Sequence, residues 1–151
     1  MRHKFRLAEL LVVILVIGGL LVWLVPRVES VRTAGSRVWA LGELTQIAFS
    51  PDGKRLASVA HEGTIKLWDL ETRAEVLTLK GHRDGASGVS FSHDGKRLAS
   101  GGTDKLVGVW DTATGAKLLM LKGHDGPVTS VAFSADDRLL ASGSSDQTVK
   151  I

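Results

Sequence analysis

Among the 151 residues, three side chains stand out as able to do chemistry together: Ser100, His82 and Asp104. Brought close, such a trio could make the serine hydroxyl a nucleophile, with the imidazole taking its proton and the carboxylate orienting the imidazole. The same trio recurs as Ser142, His124 and Asp146, each 42 residues further on. One active site requires no second copy at fixed spacing, and the sequence has neither a G-x-S-x-G elbow nor an evident oxyanion hole. The trio is therefore expected to make structural hydrogen bonds, and the chain is not expected to be an enzyme. His61, His82, His93 and His124 lie in turn-like sequence without metal-ligand spacing. Gly18-Gly19 and Gly101-Gly102 fit no phosphate-binding loop. No catalytic residue, metal or cofactor is expected.

The elements that carry these residues repeat. Residues 49–58 (Phe-Ser-Pro-Asp-Gly-Lys-Arg-Leu-Ala-Ser) and 91–100 (Phe-Ser-His-Asp-Gly-Lys-Arg-Leu-Ala-Ser) differ at one position, and a looser copy occupies 133–142. A period of 42 residues decides the architecture before any other signal. Each period opens on an alternating apolar run, as in Val128-Thr-Ser-Val-Ala-Phe133, and passes into a turn such as Ser50-Pro-Asp-Gly53. A strand of small residues follows (Leu98-Ala-Ser-Gly101), then a polar turn and a third strand ending in Trp-Asp. The fourth runs Lys117-Leu-Leu-Met-Leu-Lys122. Four short antiparallel strands per period predict one small sheet per period.

The paired Gly81-His82 and Gly123-His124, with Trp68-Asp69 and Trp110-Asp111, resemble WD40 repeats over residues 44–151, about seven-tenths of the chain. The resemblance implies an all-β fold, a partial WD40 β-propeller. Blade one would use 44–50, 55–60, 63–68 and 74–80, and blade two 86–92, 97–101, 105–110 and 116–122. An incomplete third would use 127–133, 138–143 and 147–151. It also implies a hydrogen-bonded set within a blade: Trp110, Ser100, His82 and Asp104 in the second repeat, and His124, Ser142 and Asp146 in the third. The first repeat has Ser58 and Trp68, but Glu62 replaces the aspartate and Ala40 the histidine, so its blade should be held more loosely. Partners in such propellers use the top face, at positions that here are Thr45, Ser87 and Thr129, and His61, Thr103 and Ser145. These are small or polar, without the aromatic or arginine anchors typical of hot spots.

Ahead of the repeats, Leu7 to Val25 carries a single charge, Glu9. As a helix, nineteen residues span roughly 28 Å, near the thickness of a bilayer's hydrocarbon core. A transmembrane helix is expected over 7–26 behind a basic leader, 1–6, and before a helix extension and linker, 27–43. Trp23 suits the interface, and Pro26-Arg27 ends the run. A cleaved signal peptide is the alternative, although no small-residue cleavage site follows directly. Phe5-Arg-Leu-Ala-Glu9, with Pro26 further on, resembles the start of a type IV pilin or pseudopilin, in which that glutamate serves subunit assembly. Lys4 stands where that family has glycine. The clustered Arg2, Lys4 and Arg6 favour a cytoplasmic N-terminus and extracytoplasmic repeats.

The net charge of +3 comes from the leader and linker. Residues 1–37 hold six basic and two acidic residues, a net of +4, and 38–151 hold 13 basic and 14 acidic, a net of −1. No basic stripe lies along the repeats, so nucleic acid is not an expected partner. With no cysteine, disulfides and thiolate metal sites are excluded. The expected function is a single-pass, membrane-anchored, bacterial WD40 scaffold for protein–protein interaction. The alternatives are a pseudopilin-like assembly subunit with a WD40 head, or part of a larger propeller protein whose activity lies elsewhere. Propellers usually close with four or more blades, so uncovered blade edges should also favour self-association.

Overall fold

The structure, a computed structural model, describes residues 44–151 and, before them, only the backbone of two short paired strands, β1 (Val16–Ile17) and β2 (Leu20–Leu21). Those four positions apart, the helix expected over 7–26, Glu9, the pilin-like leader and the 27–43 linker lie outside the described residues. Among the described residues no helix is long and apolar enough to cross a membrane, a statement about helices alone. The chain divides into two compact units, Met1–Trp39 and Ala40–Ile151.

The second unit is all-β, with three antiparallel sheets of four, four and three strands. The first holds β3 (Leu44–Phe49), β4 (Arg55–Ala60), β5 (Thr64–Asp69) and β6 (Ala74–Lys80) in that order. The second holds β7 (Ala86–Phe91), β8 (Arg97–Gly102), β9 (Val107–Asp111) and β10 (Lys117–Leu121), and the third β11 (Val128–Phe133), β12 (Leu140–Ser144) and β13 (Val149–Lys150). Each is a meander, as turns only a few residues long between successive strands require.

The β3–β4 hairpin shows how the turn sequence sets register. Ser50 Oγ donates to Asp52 Oδ1 (2.6 Å) and accepts from the Arg55 N–H (2.9 Å), while Gly53 takes φ 68° and its N–H closes on the Ser50 carbonyl. The second hairpin repeats this through Ser92, Asp94 and Gly95. β9 begins at Val107, two residues later than expected. Lys105 sits at φ 69°, and the Leu106 N–H is drawn to Asp104 Oδ1, so neither continues a strand. β12 likewise begins at Leu140 rather than 138: Arg138 belongs to the hairpin, its N–H donating to Asp136 Oδ1, and Leu139 lacks the third-strand pairing that Arg55 and Arg97 have, since β13 meets β12 only at Ser142 and Gly143.

The core lies between sheets. Ala57, Val59, Ile65, Leu67 and Leu79 of the first sheet pack with Ala86, Val89, Phe91, Leu98 and Trp110 of the second. The second strands read Leu-Ala-Ser because neighbours press on both of their faces: Leu98, Ala99 and Ser100 are wholly buried. β6 and β10, farthest from the inner strands, are mostly exposed.

Candidate functional site

The second sheet assembles the trio and its tryptophan into one chain of hydrogen bonds. The hairpin places Ser100 on β8 opposite Gly108 on β9, and Trp110 follows two residues on, on the same face. Trp110 Nε1 donates to Ser100 Oγ at 2.9 Å, Ser100 Oγ lies 2.8 Å from His82 Nε2, and His82 Nδ1 lies 2.9 Å from Asp104 Oδ1. Asp104 also accepts the N–H groups of Arg83 and Leu106. The proton roles follow from this arrangement. Ser100 Oγ accepts from the indole, which leaves its own hydrogen able to point at His82 Nε2 while Nδ1–H points at Asp104. The His82 side chain is fully buried.

A triad nucleophile needs its hydroxyl open to substrate. Ser100 is wholly buried, and its oxygen is held between an indole and an imidazole. The arrangement ties the loop at 81–83 and the β8–β9 turn to the sheet.

The third sheet repeats it, with His124 Nε2 to Ser142 Oγ and His124 Nδ1 to Asp146 Oδ2 both at 2.9 Å. Asp146 is drawn well below the ordinary carboxylate range. The Thr148 hydroxyl contributes most, followed by the Asp125 N–H, His124 and the Thr148 N–H, while burial opposes them. In the first sheet Trp68 Nε1 donates to Ser58 Oγ at 3.0 Å.

Three glycines wall the second-sheet chain, and the sequence reading passed over their role. A methyl group on Gly102 would collide with His82 Nδ1 and Asp104 Oδ1, one on Gly81 with the Trp110 ring, and one on Gly108 with Trp110 Nε1 and Ser100 Oγ. The signal available was the Gly-His pair itself: its glycine makes room for a tryptophan 29 residues later.

The expected partner face divides in two. Thr45, Ser87 and Thr129 each sit where the inner strand slips register against its neighbour, and such a bulge re-aims a side chain. Thr45 Oγ1 donates to the Ala86 carbonyl (2.6 Å) and Ser87 Oγ to the Val128 carbonyl (2.7 Å), joining each sheet to the next. Thr129 Oγ1 is exposed and lies 3.3 Å from the Gly143 carbonyl of its own sheet. His61 and Ser145 are exposed and Thr103 half-buried, all in the turns between second and third strands. The Thr103 and Ser145 N–H groups donate to the Gly85 and Pro127 carbonyls, 3.0 Å each. Among the described residues no group of His, Cys, Asp or Glu is arranged to hold a metal ion.

Successive meanders of four, four and three strands, packed on one another and pinned by all or part of a Trp-Ser-His-Asp set, define a propeller-type repeat protein. The pattern of the WD domain, G-beta repeat, matches residues 35–69, 73–111 and 115–151, and the chain belongs to the WD40 family. The first match starts inside the segment read as linker. Over 55 residues, 36% of this chain, it is 42% identical to the general transcriptional corepressor TUP1 of Saccharomyces cerevisiae. Over 42 residues, 28% of this chain, it is 48% identical to an uncharacterized WD repeat-containing protein, alr3466, of Nostoc sp.. These stretches cover 8% and 3% of the relatives' lengths. A solved structure, "Structure of U3-55K", superposes with a TM-score of 0.69 at 29% identity, covering 72% of this chain and 35% of that one.

Proposed function

We propose that this chain is a non-catalytic docking scaffold that holds partner proteins on the loop face of its WD40 blades, anchored to a membrane by residues 7–26. One observation carries the reading: the Ser-His-Asp constellations of the second and third sheets, which resemble an active site, are consumed in holding loops to sheets. The turns so held carry Thr103 and Ser145, and His61 occupies the corresponding turn between β4 and β5. WD40 repeats are typical of protein-interaction scaffolds, and one relative is named a general transcriptional corepressor.

The test places a photo-cross-linking amino acid at His61 or Ser145, and for comparison at Val76 or Leu118 on the outer strands. Discrete protein adducts from the loop positions are expected. Equal or absent adducts there would remove the scaffold reading. Extraction by alkaline carbonate tests the anchor separately, and release of the chain from membranes would exclude it.

The reading includes self-association. The Thr45 and Ser87 hydroxyls reach residues 86 and 128 of the next sheet, so in the same period Thr129 would reach the carbonyl of Leu44 in a second copy. A concentration-independent monomer in sedimentation would dismiss it.

A further inference from the structure

Beside the Asp104 turn a groove of about 440 Å³ is lined by Arg83, Asp84, Thr103, Lys105, Leu106 and Lys122 together with Asp104 itself. Arg83, Lys105 and Lys122 are exposed, and among the described residues none of the three forms an ion pair. Asp84 is the one exposed acid against them, since the Asp104 side chain is only 5% exposed and its oxygens face His82 and two N–H groups. The exposed rim thus carries three positive charges and one negative.

Lys122 is matched by Lys80 in the first repeat, but the other two charges are not repeated. Where the second has Arg83 the third has Asp125, and where the second has Lys105 the first has Gly63 and the third Gln147. Lys105 occupies φ 69°, as Gln147 does in the third repeat and Gly63 does at 82° in the first, so this conformation belongs to the repeated turn and only the charge is particular to the second.

We propose that this groove binds an acidic peptide segment, a run of Asp or Glu side chains on a partner protein; the inference rests on the scaffold reading. Lysine and arginine termini around a Leu106 floor suit separate carboxylates along an extended chain. A nucleic acid is a poorer match, because no lining residue is aromatic and none can stack a base.

The experiment measures fluorescence anisotropy of labelled oligoglutamate and oligoglutamine on the full chain in an uncharged detergent. Arg83→Asp with Lys105→Gly installs residues the other repeats already carry, so the sheet should tolerate both. Lys96→Asp with Lys54→Gly is a charge-matched control remote from the groove. The basic leader gives the same background in every variant. The expected result is oligoglutamate binding that weakens with salt, is about tenfold weaker in the groove variant and stays within about twofold in the control. Equal losses in both variants, no loss in either, or equal binding of oligoglutamine would overturn the proposal. Loop-face cross-links that survive such a result would leave the scaffold reading standing, whereas their absence would remove both.

Discussion

At the scale of single residues, Ser100 decides how firmly the second blade is pinned. Replacing it with alanine leaves a buried indole N–H and a buried imidazole nitrogen without their shared partner, each costing about 1–3 kcal/mol. Ser100→Ala should therefore lose about 2–4 kcal/mol in urea unfolding, and Ser58→Ala, which removes one such bond, about 1 kcal/mol. Equal losses would mean that the imidazole link contributes nothing. The members of this chain are legible in sequence because a fixed period carries them. Gly102 is not, because the reason for it is the closeness of His82 and Asp104, which meet only after the loop folds back on the sheet. Gly102→Ala should accordingly cost about 2 kcal/mol or more as an overpacked site, read by the same unfolding measurement.

At the scale of elements, strands and turns follow from alternation and from Pro, Asp and Gly at fixed places, whereas two devices that join the sheets do not. One is the bulge that turns Thr45 and Ser87 toward the next sheet: alternation marks the strand but not its slip. The other is Asp137. In the sequence it reads as a departure from glycine, yet at φ 59° its carboxylate accepts the His93 N–H (2.6 Å) and the Asp94 N–H (2.8 Å), and its carbonyl accepts from Arg97. Asp137→Gly keeps the backbone conformation and removes the carboxylate, so a net loss of about 1 kcal/mol is expected in urea unfolding. The hairpin aspartates add a pH dependence. Hydrogen bonds from Ser50, Ser92 and Ser134 lead in holding Asp52, Asp94 and Asp136 below their ordinary range. The native state therefore keeps these carboxylates ionised while the unfolded chain takes up protons first, and stability rises with pH in that window. The contribution of these carboxylates should be constant above about pH 5 and fall as pH drops through about 4 and below. Ser92→Ala should flatten that dependence, and an unchanged acid slope would show that the hairpin hydroxyls do not set it.

At the scale of the whole molecule, a WD40 blade is not a unit of stability, because each sheet buries its apolar face only against another. Val107 opens β9 in the second sheet and is 4% exposed; Val149, at the same place in the period, opens β13 in the third and is 72% exposed. Leu139 and Ile151 are 55% and 83% exposed. Sequence alone gives the two valines one role, since the period is identical; what separates them is the neighbour, which no local pattern encodes. Val107→Ala should therefore cost about 1.5–3 kcal/mol, whereas Val149→Ala should stay within about 0.5 kcal/mol, both read from urea midpoints at low protein concentration. Repeating the measurement at high concentration separates two states of that face. If it stays open, the Val149→Ala effect remains small at every concentration. If a second copy covers it through the Thr129 position, the effect grows with concentration toward that of Val107→Ala, as binding to the native state stabilises by mass action. A large effect already present in dilute monomer would contradict the open face altogether.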